Sequence, residues 1–183
     1  ICFSFRGLML RGGACGPHRD GWGIAFYEDA GCRFFHDANP SAYSEIAQLV
    51  SRYPIKSTVV ISHIRLATDG PVNLANTHPF SRELWGRIWS FAHNGQLGTH
   101  WRELALPFYR PVGTTDSEHA FCWLLGTLRQ AYPEPPADRA AVHAAVRDCA
   151  ATLHHLGKCN FLLSDGHDLM AHCSTSLHYL TRR

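Results

Sequence analysis

Short runs rich in aromatic and β-branched residues come in blocks along this chain instead of alternating one for one with helical segments. That ordering restricts the fold more than any other feature. The runs span residues 22–27, 32–36, 58–65, 88–93, 160–164, 169–173 and 177–181, and each is bounded by Gly, Asp or Asn. Three helical patterns interrupt them. The first covers about 42–53, with Ile46, Leu49 and Val50 on one face. The second begins with Thr115 followed three residues later by Glu118, a capping box, and continues with Phe121, Leu124, Leu125 and Leu128 at helical spacing. The third covers about 138–156, carries Val142, Val146, Cys149, Leu153 and Leu156 on one stripe, and stops at Gly157. Hairpin-like links such as Ser164 Asp165 Gly166 His167 Asp168 favour antiparallel pairing. The expected class is α+β, with helices covering the faces of antiparallel sheets.

Composition narrows the function classes. At 183 residues, 45% hydrophobic and 17% charged, the chain has enough apolar material for one buried core, and a single domain over 1–183 is expected. The Pro-rich stretch 132–136 reads as a loop between helices rather than a linker. A net charge of +2 with no run of Lys or Arg argues against nucleic acid as a partner. No apolar stretch approaches the length of a membrane span and no secretory leader is visible, so no membrane partner is expected. Seven cysteines without a CxxC pair suit reduced thiols, which places the chain in the cytoplasm. GxGxxG and Walker glycine patterns are absent, so no nucleotide or other cofactor is expected. The 13 histidines raise metal-dependent hydrolysis as a rival, but there is no HExxH, and His154 and His155 are neighbours pointing to different helix faces, so no metal is expected.

Three constellations carry chemistry. The apolar run from Thr58 ends in Arg65 and a polar turn through Thr68 and Asp69. An arginine there can grip a carboxylate with two parallel hydrogen bonds, although strand-end arginines commonly sit in surface salt bridges. The alternating run from Trp89 to His93 breaks into Asn94 Gly95. Asn followed by Gly is a hairpin signal, but the residues after it lack clean alternation. The other reading makes the Asn94 side-chain amide and the Gly95 N–H two donors that could stabilise an oxyanion. Third, Asp116 sits in the first turn after Thr115, where the helix dipole favours a carboxylate. Simple capping accounts for it, and so does a grip on a substrate ammonium.

Arg65 with Ala67 Thr68, then Asn76 Thr77 His78 Pro79, then His93 Asn94 Gly95, then Thr115 Asp116 Ser117 Glu118, in this order, resemble the class II glutamine amidotransferases, which are N-terminal nucleophile hydrolases. The segments Arg11 Gly12 Gly13 and Asp20 Gly21 Trp22 Gly23 look like the small stand-alone branch of the YafJ type. The resemblance implies a four-layer αββα sandwich and hydrolysis of the glutamine side-chain amide to glutamate and ammonia through a thioester on a processed N-terminal cysteine. It also implies roles: Arg65 for the substrate carboxylate, Asp116 for its ammonium, Thr68 in support of that pocket, Asn94 and Gly95 as the oxyanion hole, and His78 with Asp20, Gly21, Trp22 and Gly23 as structural support. The substrate would be glutamine or a γ-glutamyl compound, with a separate ammonia-accepting enzyme as a partner; a homodimer is also allowed.

The chain departs from the family at its start, which reads Ile1 Cys2 Phe3 Ser4 Phe5. Cys2 has a peptide bond on its N-terminal side, so it lacks the free amine that the family's mechanism uses, and a buried structural cysteine is the commoner case. The expectation is that the first strand and the nucleophile lie outside this sequence. Leu66 and Asp69 stand where larger family members commonly have Trp and His. The same clamp would also serve a γ-glutamyl peptide hydrolase or transferase, or a glutamine-binding module without catalysis.

Overall fold

The computed structural model describes the backbone of residues 2–181 and the side chains of residues 5–181. Helix α1 (Cys2–Arg11) precedes β1 (Trp22–Glu28) and β2 (Gly31–Asp37); α2 (Glu45–Arg52) and β3 (Val60–Ile64) follow. The second half holds β4 (Phe80–Leu84), β5 (Arg87–Leu97), α3 (Asp116–Ala131), α4 (Arg139–Leu156), β6 (Gly157–Ser164) and β7 (Leu169–Cys173). The strands form two antiparallel sheets, ordered β2-β1-β3 and β4-β5-β6-β7.

Alternation along each strand builds the layers. On β1, Trp22, Ile24 and Phe26 point to α1 and α2, where they pack with Phe5, Ala47 and Val50. The intervening Gly23, Ala25 and Tyr27 face the second sheet, and two small residues there let the sheets approach. On β5, Trp89 and Phe91 face α3 and α4, and Phe91 stacks on Phe121 with ring centroids 5.2 Å apart. Ser90 faces inward toward Tyr27. Helices, sheet, sheet, helices is the αββα sandwich expected from the resemblance, and both cores are continuous from sheet to helix.

Helix α4 starts and stops as its spacing predicts: Asp138 caps it through Ala140 N, and Gly157 follows Leu156. Five expectations need correction. Residues 177–181 pair with no described strand, and Leu177, Tyr179 and Leu180 are exposed, so the run packs on no core that would hold it extended. Strand β4 was missed because Arg82 and Glu83 mask its alternation, yet the Trp85 Gly86 turn, with φ of 58° and 70°, folds it against β5. Helix α2 buries Ala47, Val50 and Ser51, leaving Ile46 and Leu49 exposed, because two turns present only a narrow face to α1 and β1. The run expected to end at His93 does not stop before Asn94 Gly95: β5 continues to Leu97 because β6 pairs with it from Ser90 onward, with Asn94 opposite Asn160 and Gly95 opposite Cys159. Finally, Thr115 caps α3 by accepting from Glu118 N, but the Glu118 carboxylate does not return to Thr115. It accepts from Val112 N and Gly113 N and pairs with Arg82 at 2.6 Å, tying the preceding loop to β4.

Candidate active site

Arg65 follows β3 directly, and two residues of the preceding glycine turn hold it there. Asp20 N donates to Arg65 O, Arg65 N donates to Gly21 O, and Asp20 Oδ2 accepts from Ala67 N at 2.8 Å. Gly21 has φ of 111°, a region that disfavours any side chain. The Arg65 guanidinium is almost wholly buried and folds back on its own loop: Nη1 donates to Pro71 O, and Nη2 donates to Asp69 O and Gly70 O. Burial lowers its pKa, with Asp20 and Asp69 opposing. The expected free fork is therefore partly used as a loop anchor. Nε and the second Nη1 hydrogen have no partner among the described residues.

Asp116 opens α3 and is also buried. Its Oδ2 accepts from Leu97 N at 2.8 Å, and Oδ1 accepts from Ser117 N at 2.8 Å. The first of these bonds ties the helix start to the far end of β5. Cys159 N, opposite Gly95, donates to Ser174 Oγ and so points away from β5. Gly95 and Cys159 thus form the pair type without ladder hydrogen bonds, and the Gly95 N–H lies on the same strand edge as the Leu97 N–H. Strand β4 ends its pairing at Phe91, so it does not cover that edge. The Gly95 donor and the Asp116 carboxylate stand along one edge at positions two residues, roughly 7 Å, apart. Only glycine fits at 95, because a Cβ would collide with the Lys158 carbonyl oxygen. Asn94 is exposed; its carbonyl accepts from Asn160 Nδ2, and its side-chain amide has no partner among the described residues.

These groups meet in one cavity of about 300 Å³, whose wall includes Arg65, Thr68, Asp69, His78, Asn94, Gly95 and Asp116. Thr68 is exposed on that wall. A larger cavity of about 490 Å³ adjoins it, sharing His18, His63, Ile64, His93 and Asn94. His78 and the glycine-turn residues support that wall. Trp22 is fully buried under Phe5, and Gly23 packs against His78 and His36, too closely for a side chain. His78 is sandwiched between His63 and Phe80 at centroid distances of 4.3 and 4.4 Å, and neither of its ring nitrogens has a partner among the described residues. Cys2 opens α1, but its side chain lies outside the described ones.

Sequence reasoning assigned no role to His63 or His93. His93 continues the helix-facing alternation of Trp89 and Phe91, so its parity alone marked it as inward. Its Nδ1 lies 2.8 Å from Ser117 Oγ. Burial lowers the pKa of all three histidines: His63 to about 4, His78 well below the ordinary value, and His93 downward against the opposing pull of Asp116. The arrangement offers an anion, a cation and two free donors around neutral imidazoles. Among the described residues no three His, Cys, Asp or Glu side chains converge as a metal-ligand set, and no helix is long and apolar enough to cross a membrane.

Comparison with known proteins points the same way. A family model described as "Glutamine amidotransferases class-II" matches residues 1–183. The chain is 58% identical over its whole length to the Escherichia coli protein YafJ, a glutamine amidotransferase by name, and covers 71% of it. It is 44% identical over its whole length to a Haemophilus influenzae protein carrying the same family name and covers 62% of that protein. A crystal structure of a "predicted glutamine amidotransferase" from Pseudomonas aeruginosa superposes with a TM-score of 0.73 at 50% identity, covering 91% of this chain and 64% of that one.

Proposed function

The chain belongs to the class II glutamine amidotransferases, and from that premise we propose that its 300 Å³ cavity binds glutamine for hydrolysis of the side-chain amide. The observation that carries the reading is the shared cavity: Arg65, just after β3, and Asp116, at the start of α3, line the same space as Asn94 and Gly95. Asp116 would take the α-ammonium and the unused Arg65 N–H groups the α-carboxylate, with Thr68 beside them. Three bonds separate the Cα of glutamine from its amide carbon, so the amide would lie along the β5 edge toward Gly95 N–H and the Asn94 amide.

In the proposed reaction a cysteine thiolate, in this family that of a processed N-terminal cysteine, adds to the amide carbon. The carbonyl oxygen becomes an oxyanion held by Asn94 Nδ2 and Gly95 N. The amide nitrogen leaves as ammonia after protonation, and water then cleaves the thioester to give glutamate. Donors placed where charge develops typically contribute about 3–4 kcal/mol to such a step. The ammonia would pass to a separate acceptor.

Titration of L-glutamine into the 183-residue chain tests the binding half. Saturable binding that Asp116→Asn abolishes supports the clamp, and equal binding by both proteins would remove it. A parallel titration with γ-glutamyl peptides separates the two substrate classes.

A further inference from the structure

The surroundings of His93 hold more hydrogen-bond contacts than protons to fill them. Nδ1 lies 2.8 Å from Ser117 Oγ, Ser117 Oγ lies 3.2 Å from Asp116 Oδ1, and Nε2 lies 3.3 Å from the Lys158 carbonyl oxygen. Three hydrogen bonds need three protons, whereas a neutral imidazole and one hydroxyl bring two. The short His93–Ser117 contact survives in either arrangement. With the ring proton on Nε2, His93 donates to Lys158 and Ser117 donates to Nδ1, leaving Asp116 without the hydroxyl. With the ring proton on Nδ1, His93 donates to Ser117 Oγ and the hydroxyl donates onward to Asp116 Oδ1.

Two features favour the second arrangement. A hydrogen bond to a carboxylate is charge-assisted and stronger than one to a neutral carbonyl. The contact given up is also the longest of the three, and Lys158 already stands in the β5–β6 ladder opposite Gln96.

We propose that His93 is a positioning residue for Asp116: as the Nδ1–H tautomer it orients the Ser117 hydroxyl onto Oδ1, which with Leu97 N–H on Oδ2 holds the carboxylate in one pose toward the cavity. The proposal rests on the reading of Asp116 as the partner of the substrate ammonium. Facing the imidazole are Asp116 and Ser117 of α3, Lys158 of β6, His63 of β3 and His78 ahead of β4. Burial lowers the pKa of the ring against the opposing pull of Asp116 and the Lys158 carbonyl, so the proton count above is that of a neutral ring near neutral pH.

Long-range proton–nitrogen NMR on the ¹⁵N-histidine-labelled 183-residue chain at neutral pH reads the tautomer directly and needs no ligand. The expected result is a protonated Nδ1 and a bare Nε2 at His93. Ser117→Ala should move the proton to Nε2 and weaken L-glutamine binding roughly ten- to a hundredfold, as loss of one hydrogen bond to a charged group does. Ser117→Thr, which keeps the hydroxyl, should restore both. A protonated Nε2 in the unaltered chain, or a Ser117→Ala variant with unchanged tautomer and affinity, overturns the relay. If the unaltered chain binds no glutamine, the proposed function fails, and the tautomer still decides for or against the relay.

Discussion

The phenolic oxygen of Tyr27 in β1 lies 2.7 Å from Ser90 Oγ in β5, and the same hydroxyl reaches the Ser164 carbonyl oxygen in β6 at 2.8 Å. One buried side chain of the first sheet is thus bonded to two strands of the second, which fixes the spacing between the layers that carry Arg65 and Gly95. Burial raises the Tyr27 pKa, so the hydroxyl keeps its proton for these bonds. Tyr27→Phe leaves Ser90 and the Ser164 carbonyl short of a partner in a dry interface. Its expected effect is a loss of about 1–3 kcal/mol in unfolding free energy, read from urea melts. A variant as stable as the parent would mean that water replaces the hydroxyl.

Acid should destabilise the fold through its neutral histidines. His78 and His93 are 4% and 3% exposed, and burial depresses both pKa values, as it does that of His63 to about 4. The unfolded chain binds protons at these rings from about pH 6.5 downward, whereas the folded chain does so only at lower pH, and far lower at His63 and His78. Stability is therefore full above pH 6.5 and falls as the pH drops from there toward 4, by up to about 1.4 kcal/mol per pH unit for each ring. Urea midpoints at pH 7.5, 6 and 5 measure the slope, and a flat profile would show that the native rings titrate as the unfolded ones do.

Oxyanion stabilisation should separate from binding. In protein carrying the family's N-terminal cysteine, Asn94→Ala is expected to lower kcat by about 10²–10³ with little change in KM, because the amide acts on the charge that develops in the reaction. Asp116→Asn should instead raise KM. Steady-state assays of glutamate release measure both, and an unchanged kcat for Asn94→Ala removes it from the oxyanion site.

Thiol reactivity should divide by burial. Cys15 and Cys173 are exposed, while Cys122, Cys149 and Cys159 are buried with pKa values pushed up to about 11, 11 and 12. Iodoacetamide at pH 8 should label Cys15 and Cys173 first and reach the buried three only after denaturation, since the thiolate is the reacting form. Peptide mass spectrometry over a time course checks this order, and early labelling of Cys159 would show the β5–β6 core to be open.

Local patterns carried much of this protein into view. Alternation around Trp89, Phe91 and His93 and the spacing of Leu124, Leu125 and Leu128 define β5 and α3, because period and capping act within a few residues and require no knowledge of neighbours. The ordered set of Arg65, Asn94 Gly95 and Asp116 made the family visible in the same way. Tertiary structure alone decided what those residues face. Three-dimensional packing folded Arg65 onto its own loop, turned Asn94 Gly95 into mid-strand residues beside β6, sent the Glu118 carboxylate to Arg82, and placed His93 against Ser117. Each of these outcomes depends on a partner distant in the chain or on the competition of several acceptors for one proton, and neither is encoded in the identity or spacing of the residue itself.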